Sequence, residues 1–373
     1  MRINLFGQRG PIGGGRHFGE FCDAMKSLHL VGNSVFEYDY FNSADYRACM
    51  DAAGSDDINI HFVNVNALPA DMRENSWPTL PGVNIHWAIF EATILDRAHL
   101  AWLGKADIVF VPSEWGKDVL IRNGLSADRI DVVPEGVNPT RFHPLMRDSY
   151  TNTHDELYRV LVVSKFEERK GFPELLTGYA QAFGGDESAR LILKSDNLWM
   201  KSLGNNAYEE NLAALRGLVT DAGINNAVIL DGALSDDDLA HLYNASDVLL
   251  FPSRAEGWGL PLIEAMASGL PVATTCYSGH TEFLEPARDK VGLINHRMVP
   301  MGERGRAGEW AHADAEDIAT CLTKMRGNQE HYRRLAHEAS SMMRTQFSWQ
   351  RAAERCLEAL RGRMALFQLS LEI

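Results

Sequence analysis

Short apolar runs alternate with longer amphipathic stretches along the whole chain, and this alternation limits the fold more than any other feature. Ile3–Phe6, Ile58–Val63, Val83–Phe90 and Ile108–Val111 read as buried strands in the first half. Phe18–Leu28, Leu95–Leu103 and Trp115–Asn123 lie between them with apolar residues at helical spacing. The second half repeats the pattern. Val160–Val163, Leu191–Leu193, Ala227–Leu230, Val248–Phe251 and Pro271–Thr274 are strands, separated by Pro173–Phe183, Glu210–Ala222 and Asp236–Asn244 as helices. Strand and helix in alternation, with glycine-rich turns, predict parallel doubly wound sheets. Two such sets in 373 residues predict an α/β chain of two Rossmann-like domains, at 1–148 and 149–348, followed by a helix and tail at 349–373. The join falls in the polar stretch Met146–Tyr158, after the proline-bearing turn Pro139–Pro144. No fixed-period repeat and no low-complexity segment is present.

Composition narrows the function classes. Net charge is −14, and the acidic excess is shared by both halves, so nucleic acid is disfavoured as a partner. No apolar stretch approaches the roughly 18 residues of a spanning helix, while peripheral membrane contact is left open. The five cysteines have no CxxC spacing and read as reduced thiols of a cytoplasmic protein. The first apolar run is too short for a signal peptide core and reads as the first strand.

Ligands of open α/β sheets bind at the carboxyl ends of the strands, so loops there carry the chemistry. Ser253–Ala267, SRAEGWGLPLIEAMA, follows the strand Val248–Phe251. Gly257 and Gly259 flank Trp258 and permit a sharp turn. The helix that then opens near Leu260 presents free N–H groups that favour an anion. Glu256 and Glu264, seven residues apart, can grip separate hydroxyls of one polyol; in isolation such a pair reads as a loop cap and a surface acid. Val163–Gly171, VSKFEERKG, places Lys165, Arg169 and Lys170 at another strand end, which suits a polyanion; the bland alternative is a solvated loop with Glu167 paired to Arg169. Gly10–His17, GPIGGGRH, follows the first strand. Its glycines, Gly14 and Gly15 among them, allow close approach to a phosphate, but the spacing is neither a dinucleotide fingerprint nor a Walker loop. Asp236, Asp237 and Asp238 read as the acidic first turn of a helix rather than a metal triad. No zinc spacing and no nucleophile elbow occurs.

The block from Glu256 to Glu264 resembles the E-x7-E signature of retaining glycosyltransferase family 4, whose members adopt the GT-B fold. The resemblance continues through Ala265–Ala273, Leu239–Pro252, Val132–Asn138, Phe142–Pro144 and Phe347–Trp349, and covers nearly the whole chain. It implies that Glu256 contacts the donor sugar and Glu264 the nucleotide ribose. It also implies that backbone groups of Gly257, Trp258, Gly259 and Leu260 hold sugar hydroxyls and diphosphate, and that the backbone from Gly232 to Leu234 reads the base. Lys165 takes the place of the usual arginine, and Lys170 with Gly171 matches directly. Glu135 stands where the family usually has asparagine. The strand Asn84–Glu91 reaches the sugar and the attacking hydroxyl in such enzymes, which makes His86 a candidate catalytic contact and Glu91 an acceptor-side one; a strand histidine is otherwise a core residue. Asn64 and Asn66, with His61, are candidate acceptor-side residues. In the fold the two domains face across a cleft and the C-terminal helix crosses back to the first.

The resulting expectation is a retaining, metal-independent glycosyltransferase. It would move a hexose of the mannose or glucose type from a GDP- or UDP-linked donor to an acceptor hydroxyl in glycan or polysaccharide biosynthesis, without a cofactor. The alternatives are a nucleotide-sugar epimerase of the same fold, a DNA- or protein-modifying glucosyltransferase, and a binding protein with a degenerate site.

Overall fold

The computed structural model describes residues 2–10, 13–28, 34–39, 53–62, 80–144, 157–195, 197, 200–201, 206–301 and 307–367. The chain divides into two compact units. One comprises Met1–Gly136 with Gln346–Ile373, the other Val137–Thr345.

Unit 1 is built on strands β1 (Arg2–Gly7), β2 (Ser34–Asp39), β3 (Ile58–Phe62), β4 (Val83–Trp87), β5 (Ile108–Val111) and β6 (Ile130–Val132). They form one sheet in the order β2-β1-β3-β4-β5-β6, and every described pairing is parallel. Ile60 pairs with Ile85 and Ile85 with Ile108, so a row of β-branched residues crosses the middle of the sheet. Helices α1 (Gly13–Ser27), α2 (Arg97–Gly104) and α3 (Glu114–Arg122) accompany it. Asp96 caps α2 through the amide of His99, and Ser113 caps α3 through that of Gly116.

Unit 2 repeats the plan. Strands β7 (Tyr158–Val163), β8 (Ala189–Lys194), β9 (Ala227–Leu230), β10 (Val248–Phe251), β11 (Val272–Thr274) and β12 (Gly292–Leu293) run in the order β12-β11-β10-β7-β8-β9, again all parallel. Its helices are α4 (Phe172–Phe183), α5 (Ala207–Asp221), α6 (Asp236–Asn244), α7 (Leu260–Ala267), α8 (Ala315–Gly327) and α9 (Gln329–Gln346). Val160, Val162, Leu191, Leu193, Val248 and Leu250 make the sheet side of the core, against Leu175, Leu176 and Tyr179 of α4 and Ile318 and Leu322 of α8. Ser235 caps α6 by accepting from the amide of Asp238, so the Asp236–Asp238 run is the acidic first turn of a helix.

The last helix, α10 (Trp349–Phe367), belongs to unit 1. The Arg363 guanidinium binds both oxygens of Asp131 on β6, at 2.9 and 2.7 Å, and Trp349 stacks on His17 of α1, centroids 5.5 Å apart.

Several elements differ from the sequence-based expectation. The strand expected over Val83–Phe90 stops at Trp87, although the Ala88 amide still reaches the Phe110 carbonyl at 2.8 Å. Residues 297–309, expected to form an irregular loop, begin an antiparallel hairpin of β13 (Arg297–Pro300) and β14 (Glu309–His312), with Val299 opposite Trp310. Strands β2, β6 and β12 are not expected from the sequence; β2 mixes polar and apolar residues at a sheet edge, and the other two are very short.

Candidate functional site

Because every strand of the unit 2 sheet points the same way, the loops that follow β7 and β10 leave adjacent strand ends. Those strands pair at Val248–Val160 and Leu249–Leu161. The two loops carry the two motifs, and they zip together. The Arg254 amide donates to the Arg169 carbonyl at 2.8 Å, and the Ser253 hydroxyl reaches the same carbonyl at 3.4 Å.

Glu256 lies at the centre of this join and is 5% exposed. One carboxylate oxygen, Oε1, takes an ion pair from Lys170 Nζ and a hydrogen bond from the Ser253 hydroxyl at 2.5 Å. The other, Oε2, takes Arg169 Nη1 at 2.9 Å. Burial alone pushes a carboxyl up. Here Lys170 and Arg169 outweigh it and bring Glu256 down to about 2. Lys170 is itself buried and sits over the Phe251 ring, 5.2 Å from its centroid. Lys165 is partly exposed and lies 3.9 Å from Glu167. Three cations thus converge on one strand end, and a buried anion already occupies two of them.

The chain then turns at Gly259, φ 100°, into α7. A side chain is strained at that angle, and a Cβ there would sit 3.4 Å from that of His280. The turn sets the first-turn amides of α7, the positive end of the helix, directly after Glu256. Glu264 follows on α7. It is 2% exposed rather than a surface acid, and it accepts a hydrogen bond from the Tyr243 hydroxyl at 3.2 Å. Trp258 does not offer its ring to a ligand: it is buried and packs on Phe283 with centroids 4.9 Å apart, which leaves Gly257–Leu260 only their backbone groups for binding. Gly232 lies after β9, and its carbonyl accepts from Lys194 Nζ at 2.7 Å.

The unit 1 candidates are more dispersed. Gly14 and Gly15 form the first turn of α1, and a Cβ on Gly15 would come within 2.7 Å of the Gly10 amide nitrogen, so this glycine serves the loop's fold back on itself. His86 is the penultimate residue of β4, and its side chain lies in the core. It is 1% exposed, stacks on Trp102 at 4.1 Å, and is pulled well below the usual imidazole range by that burial. His61, beside it on β3, stacks on Phe6 in the same way. Glu91 lies half-buried beyond the strand end. Asn64 and Asn66 lie outside the described residues.

Two residues do more than the sequence indicates. Arg169 reads there as one of three strand-end cations for a polyanion or, alternatively, as a partner of Glu167. It does approach Glu167, Nε to Oε2 at 3.2 Å, and it holds Glu256 as well. Glu135, noted only as a departure from a family pattern, is buried 3.7 Å from His17 Nδ1, and burial with the nearby Glu91 pushes it up to about 8.

Comparisons with known proteins bear on the fold and on the segment that carries this cluster. Residues 149–297, which contain the whole Glu256 cluster, match the family "Glycosyl transferases group 1". This segment is a glycosyl transferases group 1 domain. Mannosylfructose-phosphate synthase of Agrobacterium fabrum is 26% identical over 267 residues, covering 69% of this chain and 54% of the relative. The chain spans about half to two thirds of the length of the curated relatives it matches. Among solved structures, sucrose-phosphate synthase from Thermosynechococcus elongatus superposes with a TM-score of 0.72 at 17% identity, over 98% of this chain and 99% of that one. Anabaena Alr3699/HepE in complex with UDP and glucose gives 0.68 at 16% identity, over 97% and 100%. At such identities the likeness establishes the fold, GT-B, with a group 1 domain as its second Rossmann-like unit. Among the described residues no helix is long and apolar enough to cross a membrane, and no three His, Cys, Asp or Glu side chains are grouped to hold a metal ion.

Proposed function

We propose that the chain is a retaining, metal-independent glycosyltransferase that moves a hexose from a nucleotide diphosphate sugar to an acceptor hydroxyl. The observation that carries this reading is the buried Glu256 carboxylate held between Lys170 and Arg169 at the end of β10, one turn before α7. A buried acid that stays ionised can accept hydrogen bonds from sugar hydroxyls without first losing a proton. The cations beside it meet the charge that builds on a departing diphosphate. Lys165, less buried and with a single long contact to Glu167, is placed to take a second phosphate. The Glu264 carboxylate, oriented by Tyr243, suits the ribose diol.

In this scheme the diphosphate leaves toward Lys170, Lys165 and the α7 amides. Its departing oxygen takes the proton of the incoming hydroxyl on the same face of the sugar, so configuration is kept and no side chain forms a sugar ester. Neutralisation of the leaving group by side-chain cations is the support for a metal-independent step. The donor reading is supported by the UDP and glucose of the Anabaena relative, and a mannose or glucose type of sugar by the names of the mannosylfructose-phosphate and sucrose-phosphate synthases. A cytoplasmic site of action, with a glycan or other hydroxyl acceptor, completes the proposal.

Nucleotide release from UDP-, GDP- and ADP-sugars tests it, with the product anomer read by NMR. One donor should be hydrolysed slowly without acceptor, the released sugar should begin as the donor's anomer, and a chelator should change nothing. Lys170→Ala should lower kcat by about 100-fold with little change in donor affinity. Isomerised sugar still attached to nucleotide would replace this reading with an epimerase.

A further inference from the structure

Among the described residues, Ser278 is the one non-glycine residue in the left-handed region, at φ 68°. An L-residue is disfavoured there because Cβ crowds the following carbonyl, and glycine would make the same turn freely. Ser278 is fully buried, so no contact with solvent accounts for it. What the serine adds is a hydroxyl with two partners. Oγ accepts the Glu256 amide at 2.8 Å and donates to the Tyr277 carbonyl at 2.5 Å.

The surrounding contacts show what that bond belongs to. The segment after β11 lies along the loop after β10 and holds it at successive points. Thr275 Oγ1 donates to the Ser253 carbonyl at 2.7 Å, and the Gly279 amide donates to the Glu256 carbonyl at 2.9 Å. A Cβ on Gly279 would fall 1.9 Å from the Gly257 carbonyl oxygen, so the two backbones are in direct contact. His280, buried behind them, bonds the Thr275 carbonyl through Nε2 at 2.8 Å. Both backbone groups of Glu256 are therefore fixed from this segment, its carbonyl by a main-chain amide and its N–H by the Ser278 side chain. Glycine at 278 would keep the first bond and lose the second.

We propose that Ser278 is a positioning residue for sugar transfer: its hydroxyl fixes the Glu256 backbone, and the left-handed conformation is retained for the sake of that bond. The inference rests on the reading of Glu256 given above, because a backbone clamp matters to turnover only if the carboxylate it orients touches the sugar. The role is specific. Lys170 and Arg169 set the charge of Glu256, whereas Ser278 sets where its Cα stands.

Two substitutions separate strain from hydrogen bonding. Ser278→Gly relieves the conformation and deletes the hydroxyl; Ser278→Ala keeps the crowding and deletes the hydroxyl. The expected result is that Ser278→Gly melts at or above the wild-type temperature while kcat with the donor falls about 10-fold and the affinity for the free nucleotide diphosphate is unchanged. Ser278→Ala should show the same fall in kcat with a lower melting temperature. A serine kept only for stability cannot move melting temperature and kcat in opposite directions. Wild-type kcat in Ser278→Gly, or joint loss of melting temperature and nucleotide affinity, would overturn the proposal. Amide hydrogen exchange at Glu256 in both variants keeps the two readings apart. Faster exchange is expected whether or not donor is turned over, and wild-type protection there would overturn the clamp itself. Wild-type turnover in Glu256→Ala would instead remove the functional reading of Glu256, and with it the positioning role.

Discussion

Glu256 is held by one cation per oxygen, and this division has a consequence for its charge during turnover. In the proposed mechanism Lys170 turns to a phosphate while Oε2 keeps Arg169, so the carboxylate is not left buried and bare. Glu256 has its folded value depressed to about 2, so the stability it contributes is complete above its ordinary 4.5 and is lost only as pH falls from there toward 2. Arg169→Met removes one of the cations and raises that value. The acid limb of the kcat profile, measured at saturating donor, should then move upward by about one pH unit, while Arg169→Lys restores it; an unmoved limb in Arg169→Met would deny the arginine this role. The site's outline was legible in the sequence because Gly-Trp-Gly-Leu-Pro between two glutamates, and Lys170 before Gly171, are patterns with few structural uses. What was not legible is which side chain meets which oxygen. Arg169 had a nearer partner in sequence, Glu167, and only the pairing of β7 with β10 brings it to Glu256. Ser278 shows its significance through a backbone angle that composition does not encode.

At the scale of elements, long apolar strands and amphipathic helices were readable because both sheets are parallel and buried, so their strands are continuous apolar runs. The edge strand β2 mixes polar and apolar residues instead, and Phe36 on it remains 37% exposed. The β13–β14 hairpin escaped notice because its apolar residues lie at its two ends, with Gly and Arg between. His86 is a candidate through the family resemblance of its strand end, and close to the end of β4 its ring stacks on Trp102 in the core. The return of α10 to unit 1, which the family resemblance implies, rests on a contact between two of the matching segments, Val132–Asn138 and Phe347–Trp349. A Cβ on Gly136 would stand 2.3 Å from the Trp349 backbone nitrogen, so the chain leaving unit 1 and the helix re-entering it touch main chain to main chain. Gly136→Ala should therefore lower stability by about 1–3 kcal/mol in denaturant titration. Gly217→Ala, on the exposed face of α5 with no atom within 4 Å of the added methyl, should raise it by about 0.5–1 kcal/mol. The same sign for both would show that the Gly136 approach is not tight.

At the scale of the molecule the two units carry different acid sensitivity. Unit 1 buries four described histidines whose imidazoles are held neutral by burial: His17 and His61 at about 3, His99 at about 4, and His86 well below its usual range. Unit 2 has buried His280 at about 4, with the exposed His296 also lowered. A depressed imidazole contributes stability that is complete above 6.5 and falls with pH below it, about 1.4 kcal/mol per unit for each group. Glu135 acts oppositely: its raised value gives stability that is complete below 4.5 and is lost as pH rises toward 8, offsetting one histidine between 4.5 and 6.5. Unit 1 should be most stable near pH 6.5 and should unfold before unit 2 on acidification. Hydrogen exchange across pH 7 to 4 should show unit 1 peptides losing protection first, and unit 2 opening first would contradict the burial argument. The central claim concerns one carboxylate in unit 2, and Glu256→Gln tests it most directly because size and most packing are kept while the charge is removed. With the donor that the wild type turns over, the variant should lose about 100-fold or more in kcat while binding the free nucleotide diphosphate as tightly as before. Wild-type kcat in Glu256→Gln would contradict the account.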